Sequence, residues 1–266
     1  ASNLTRTAKR GVTMGAYAGY NNLSGDENIY IGRDSGYYQT NGGNTAIGTY
    51  AMVGASGASS GSQNVAVGKQ ALNSNSSSNG NTAVGYQAGL LNTTGYFNTY
   101  VGNVAGNSNQ TGIRQTFLGH YAGEAATGSN GTFVGQNSGY LMTTGSKNTI
   151  LGSFSGNQGS LDIRTGNNNI VISDGDGNPR LLVNNQGKLK VNTPDSGTGH
   201  AFITSTNIVG NFCYESSAVN QSGTYYHFDF KAGGTGVGTI SSSSSSTSYN
   251  TSSDYRLKEN VNYDWD

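Results

Sequence analysis

One short glycine-terminated segment recurs nine times between Gly11 and Gly156, and nothing else restricts the fold as strongly. Its clearest copy is Asn81-Thr82-Ala83-Val84-Gly85-Tyr86-Gln87-Ala88-Gly89. The glycines that end the apolar runs are Gly15, Gly32, Gly48, Gly68, Gly85, Gly102, Gly119, Gly135 and Gly152. Successive anchors lie 17, 16, 20, 17, 17, 17, 16 and 17 residues apart. A unit this short cannot bury a core alone, so it must stack on its neighbours as a solenoid.

Two residues before each anchor stand Thr13, Tyr30, Ala46, Ala66, Ala83, Tyr100, Phe117, Phe133 and Ile150. The residues on either side of them, such as Thr99 and Val101 or Thr116 and Leu118, are β-branched or apolar. Alternate residues of a strand face opposite ways. Both faces are therefore largely apolar, and a strand of that kind is buried on both. We expect the flanking pair to fill each coil. The middle residues Tyr30, Tyr100, Phe117, Phe133 and Ile150 are then expected to form a seam between identical chains.

Three residues after each anchor, all nine positions hold Ala or Ser, from Ala18 to Ser155, which requires a tight space. Gly follows in seven copies, with Met52 and Leu72 in the other two. Asn opens most copies: Asn28, Asn44, Asn64, Asn81, Asn98 and Asn148. An Asn amide can hydrogen-bond its like one coil away, so an Asn ladder is expected at a coil corner. The stretches between copies are polar and read as surface loops. Tyr20, Tyr37, Tyr38 and Tyr96 sit in or beside them, with Phe97. An exposed tyrosine ring can pack on the apolar face of a sugar, so these four tyrosines are the candidate receptor contacts.

Composition closes off several functions. Apolar residues make up 33% and charged residues 11% of the 266, too little for a large conventional core. Lys plus Arg and Asp plus Glu number 14 each, so nothing attracts a nucleic acid. No apolar run approaches a membrane span. Cys213 is the single cysteine and reads as a buried structural thiol. His120, His200 and His227 are far apart and read as structural. Asp174, Asp176 and Asn178 resemble the start of a calcium loop, but Pro179 and Asn185 occupy its sixth and twelfth positions. No metal and no cofactor is expected.

After the repeats, Asn167 to Ser173 reads as a last degraded copy. A β-meander follows, with strands over Arg180–Asn184 and Lys188–Asn192. Tyr225 to Phe230 alternates as a strand, and Val237 to Ile240 follows a glycine-rich turn. The Ser241 to Ser246 run reads either as a flexible linker or as an extended, chain-paired stretch. The expected divisions are a leader over 1–10, the repeats over 11–160, a meander neck over 161–193, a β-rich shaft over 194–251, and a further segment over 252–266.

The repeat Asn-Thr-Ala-Val-Gly-Tyr-Gln-Ala-Gly resembles the head repeats of trimeric autotransporter adhesins and similar repeats of phage tail fibres. The resemblance covers about residues 11 to 156. It implies an all-β fold, a left-handed parallel β-roll that forms a homotrimer. Asn250 to Val261 resembles the junction before the self-cleaving C-terminal intramolecular chaperone of tail fibres and tailspikes. By that resemblance, Ser253 stands at the cleavage point and Lys258 is the lysine that activates it. The chain stops at Asp266, well short of the family's chaperone, which suggests a truncated or uncleaved form.

These likenesses imply a structural, receptor-binding fibre protein of the extracellular virion, joined to other tail proteins and presenting loops to a host glycan or protein. They imply no membrane insertion and no enzymatic activity beyond self-cleavage. A bacterial trimeric adhesin is the alternative. A polysaccharide-degrading tailspike is a further one, though Asp26, Glu27, Asp34 and Glu124 are scattered and no pair recurs.

Overall fold

The computed structural model describes residues 10–56, 59–191, 200–202, 225–232, 235–242 and 245–251. The chain divides into two compact units, residues 1–209 and 210–266. All described secondary structure is β.

In the first unit every copy of the repeat contributes one short strand. These are β1 (Gly11–Met14), β2 (Asn28–Ile31), β3 (Thr45–Ile47), β4 (Val65–Val67), β5 (Thr82–Val84), β6 (Thr99–Val101), β7 (Thr116–Leu118), β8 (Thr132–Val134) and β9 (Thr149–Leu151). Each pairs in parallel with the next, and the register never slips. Thr13 faces Tyr30, Ala83 faces Tyr100, Tyr100 faces Phe117, and Phe133 faces Ile150. The chain is thus a parallel β-solenoid of about nine coils with a spacing near 17 residues. The sheet does not stop there. After a small hairpin of β10 (Asn157–Gln158) and β11 (Leu161–Asp162), β12 (Ile170–Ser173) adds a tenth parallel rung on β9. The ladder then turns antiparallel through β13 (Pro179–Val183), β14 (Leu189–Val191) and β15 (His200–Phe202). Solenoid and meander therefore share one sheet, which runs on past residue 160.

The second unit is a three-stranded antiparallel sheet of β16 (Tyr225–Ala232), β17 (Thr235–Ser242) and β18 (Thr247–Thr251). The serine run contributes to paired strand: Ser241 and Ser242 end β17, opposite Ser248 and Thr247 of β18.

The two strand faces are reversed from the expectation. Tyr30, Tyr100, Phe117, Phe133 and Ile150 do not lie at a seam. They fill the inside of their own coils, each no more than 1% exposed in the single chain. Phe117 and Phe133 stack 4.7 Å apart with ring planes only 4° from parallel, and Tyr100 lies 5.6 Å from Phe117. The flanking residues, expected inside, point outward: Leu118 is 46% exposed and Val84 is 37% exposed.

Volume explains the orientation. The inside of a coil accepts one side chain from the strand and a second from the turn that follows. Where the strand supplies an aromatic, the turn supplies glycine. A Cβ at Gly139 would lie 2.5 Å from the Phe133 ring, and one at Gly106 would lie closer still to the Tyr100 ring. Gly89, which follows Ala83, is kept small by the next coil's Tyr100, 2.6 Å away. Where the strand supplies only Ala46 or Ala66, the turn supplies Met52 or Leu72, both fully buried. Those two bulky residues accept φ of 50° and 47°, a region normally left to glycine. Filling the coil outweighs the backbone cost of about 1–2 kcal/mol. The Ala and Ser positions complete the interior. Ser35 Oγ donates to the Ala46 carbonyl at 2.8 Å, and Ser138 Oγ donates to the Ile150 carbonyl at 3.2 Å.

A file of asparagines holds one corner. Each Oδ1 accepts the backbone N–H of the next member. Asn44 N–H donates to Asn28, Asn64 to Asn44, Asn81 to Asn64, and Asn98 to Asn81, at 2.8 to 3.1 Å. Each Nδ2 donates to a carbonyl of the adjoining loop, as Asn81 does to Gly95 and Asn98 to Gly112, both at 2.9 Å. Gln115 extends the file, and Asn148 and Asn169 resume it. All but Asn28, Gln115 and Asn169 are fully buried, where an unpaired amide would cost about 1–3 kcal/mol.

Candidate functional site

Because every coil returns the chain to the same place, residues one repeat apart become neighbours. Tyr20 and Tyr37 each stand five residues past an anchor, Gly15 and Gly32. Their rings stack at 5.2 Å with planes 18° apart. Tyr38 meets Tyr37 edge-on at 4.6 Å. Tyr17, which sequence reasoning missed, packs edge-on against Tyr20 at 5.6 Å and reaches Tyr37 at 6.3 Å. Its φ of 59° directs it away from the coil, and it is 59% exposed. The four rings make one surface cluster, with Tyr20 also exposed and Tyr37 and Tyr38 half-buried.

Polar groups border the cluster. Asp34 lies close enough to Tyr37 to oppose its ionisation. Partial burial is the main cause that raises the Tyr37 hydroxyl above its ordinary range, followed by the hydroxyls of Tyr38 and Tyr20. The hydroxyl is therefore neutral at physiological pH, and it can both donate and accept. Arg33 binds Asp34 at 3.5 Å, lies 4.6 Å from the Tyr50 ring, and donates to the Tyr50 hydroxyl. Apolar ring faces, neutral hydroxyls and a carboxylate already held by arginine suit an uncharged, hydroxyl-rich ligand with one apolar face.

Tyr96 is not brought to this cluster. It sits on another coil corner, edge-on to Phe97 at 5.2 Å, with the Arg114 guanidinium 5.9 Å from its ring. The other acidic residues are spread. Asp26 and Glu27 flank Arg10 at 3.8 and 3.3 Å, and Glu124 accepts from Ser108 Oγ at 3.4 Å. A polar groove of about 420 Å³ beside Asp26 is lined by Ser24, Thr40, Asn41 and Gln63. In the Asp174 turn, the Asn178 N–H at 2.8 Å and then Arg180 hold the Asp174 carboxyl down at about 2. An arginine thus takes the carboxylate that the calcium-loop likeness would offer to a metal. Among the described residues no group of three or more His, Cys, Asp or Glu could hold a metal ion. His120 packs 4.0 Å from Tyr121. Cys213, Ser253 and Lys258 lie outside the described residues, as do the side chains of His200 and His227.

Comparison with protein-family models, curated proteins and solved structures finds no match.

Proposed function

We propose that this chain is a structural and receptor-presenting part of a trimeric phage tail fibre, and that its tyrosine cluster contacts a host glycan. One observation carries the reading. The outward face of the solenoid is a continuous strip of two side-chain columns with no charged residue in either. One column runs Val12, Ile29, Thr45, Val65, then Thr82 to Thr149; the other runs Met14, Ile31, Ile47, Val67, then Val84 to Leu151. Nine rungs at roughly 4.8 Å make it about 43 Å long. An uncharged apolar strip of that length marks an interaction surface. The occupant that matches it rung for rung is another copy of this chain, and the repeat's likeness to trimeric fibres and adhesins sets the number at three. The seam thus moves from the aromatic residues to their neighbours.

The loops beyond the strip stay free for recognition, and the tyrosine cluster is the best-formed surface among them. A glycan array probed with the assembled protein tests this. Wild type is expected to retain a set of neutral glycans that Tyr37→Ala loses by about tenfold or more, since stacked aromatic contacts contribute roughly 1–3 kcal/mol. Retention unchanged by Tyr37→Ala would sink the assignment of the cluster.

The tail-fibre identity, as against a surface adhesin, rests on the likeness at Asn250 to Val261. We propose that Ser253 attacks the carbonyl of Ser252, with Lys258 taking the hydroxyl proton. The peptide C–N bond then breaks as Lys258 returns the proton to the departing Ser253 amine, and water hydrolyses the ester to give the Ser252 carboxylate and the free Ser253 hydroxyl. In a gene product that carries the chaperone, intact mass should show a fragment ending at Ser252. Ser253→Ala should give one uncut chain that still assembles. A product ending elsewhere would remove the reason for preferring a phage fibre.

A further inference from the structure

Five residues before each anchoring glycine from Gly32 onward the backbone adopts the left-handed conformation, first at Glu27, Gly43 and Gln63 and then along the stretch that follows. The angle φ is 64° at Gly80, 59° at Phe97, 55° at Arg114, 58° at Asn130 and 59° at Lys147. These residues are stacked by backbone hydrogen bonds. Phe97 N–H donates to Asn79, Arg114 to Tyr96, Asn130 to Ile113 and Lys147 to Ser129, at 2.8 to 3.1 Å. Phe97, Arg114, Asn130 and Lys147 therefore leave the corner in one direction, one above another, and all four are exposed.

Side chains other than glycine occur elsewhere in this column, as at Glu27 and Gln63, so it is the surface chemistry of the stretch from Phe97 to Lys147 that sets it apart. Glycine and asparagine suit its backbone angle, and Gly80 and Asn130 conform. Phe97, Arg114 and Lys147 do not. Phe97 is 59% exposed and lies across Gly80, where a Cβ would come within 2.7 Å of its ring. Tyr96 meets it edge-on, and Arg114 stands over Tyr96. Among the described residues neither Arg114 nor Lys147 has an ion-pair partner, although Arg10, Arg33, Arg164 and Arg180 all do. The strip thus reads aromatic, cation, amide, cation. Its cations are two coils apart, about 9.6 Å.

We infer that this corner binds an acidic polysaccharide lying along the solenoid axis. The Tyr96 and Phe97 rings pack on one sugar. Arg114 and Lys147 pair with carboxylates on successive repeating units, and Asn130 hydrogen-bonds the hydroxyls between them. Two coils match the advance of one disaccharide in an extended chain, so a polymer with one carboxylate per disaccharide fits the register. A nucleic acid strand fits poorly, because its phosphates recur about every 3.4 Å along the strand axis while the two cations stand about 9.6 Å apart. The site is separate from the tyrosine cluster and differs from it in ligand charge.

A hyaluronan octasaccharide, which carries one carboxylate per disaccharide, is the probe. Calorimetric titration into the assembled protein at low salt should show binding that weakens by about tenfold or more at high salt. The Arg114→Gln/Lys147→Gln variant and the methyl-esterified probe should each weaken it about tenfold or more, because charge-assisted hydrogen bonds are lost. Phe97→Ala should weaken it several-fold, and Tyr37→Ala should leave it unchanged. Circular dichroism and oligomer size of each variant should match wild type. Absence of binding, equal binding of the ester, or full binding by the double variant would overturn the inference. So would loss of assembly in that variant, which would place the two cations in a subunit contact. Loss of hyaluronan by Tyr37→Ala would move the ligand to the tyrosine cluster and overturn it too.

Discussion

Phe117→Asp and Leu118→Asp, adjacent substitutions of the same kind, are expected to fail in opposite ways. Phe117 is fully enclosed in its own coil, stacked on Phe133 and beside Tyr100. Aspartate there removes an aromatic contribution of about 3–5 kcal/mol and buries a carboxylate with no partner. The neighbouring coils should unfold, with loss of β-sheet circular dichroism. Leu118 projects from the opposite face into the uncharged strip. Aspartate there leaves the coil interior untouched. It should keep the sheet signal while dissociating the proposed trimer, in which three carboxylates would meet in one apolar layer. Sedimentation and circular dichroism together decide the matter. A folded Phe117→Asp chain would refute the coil interior, and an intact Leu118→Asp trimer would refute the seam.

The second large effect comes from the exchange of volume between strand and turn. Gly106→Leu forces a branched side chain against the Tyr100 ring and into φ of 61°. Overpacking and the left-handed backbone together should cost about 3 kcal/mol or more. Tyr100→Ala alone empties the coil and should cost about 3–5 kcal/mol. Combined, they recreate the pairing that Ala66 and Leu72 already use two coils away on the same inward face. The double variant should therefore recover about 2 kcal/mol or more relative to the sum of the single effects. Denaturant unfolding of the four proteins measures the coupling. Simple additivity would mean that the Met52 and Leu72 substitutions have another cause.

Much of this was legible in the chain. The anchor spacing gives the solenoid, and the recurrence of Asn28 to Asn148 marks the corner file. The stacking of Tyr20 on Tyr37 follows from their offset of one repeat. The orientation of the strands was not read correctly, because both faces are apolar and alternation alone cannot choose between them. The choice is written in Met52 and Leu72. They appear only where the strand residue is alanine, which is sensible only if both point into the same space. Tyr17 escaped notice because it lies beside the anchor and not in a loop. The meander after Asp174 was legible from its turns, and the strands expected over Arg180–Asn184 and Lys188–Asn192 match β13 and β14. What no repeat announces is that they continue the solenoid's own sheet.

The asparagine file shows how such a chain changes size. Each amide is satisfied by the rung below and the loop beside it, so its hydrogen bonds are indifferent to how many rungs lie beyond. Where Gly131 contributes no amide, the longer Gln115 reaches into the space that a side chain there would fill, and the file resumes at Asn148. Duplication or loss of one whole coil in the gene would therefore preserve every local bond while altering reach by about 4.8 Å. Partial insertions are tolerated only in loops, as the 20-residue interval before Gly68 shows. Recombination between repeats thus supplies length as a heritable trait in discrete steps, separable from the identity of the residues displayed at the corners.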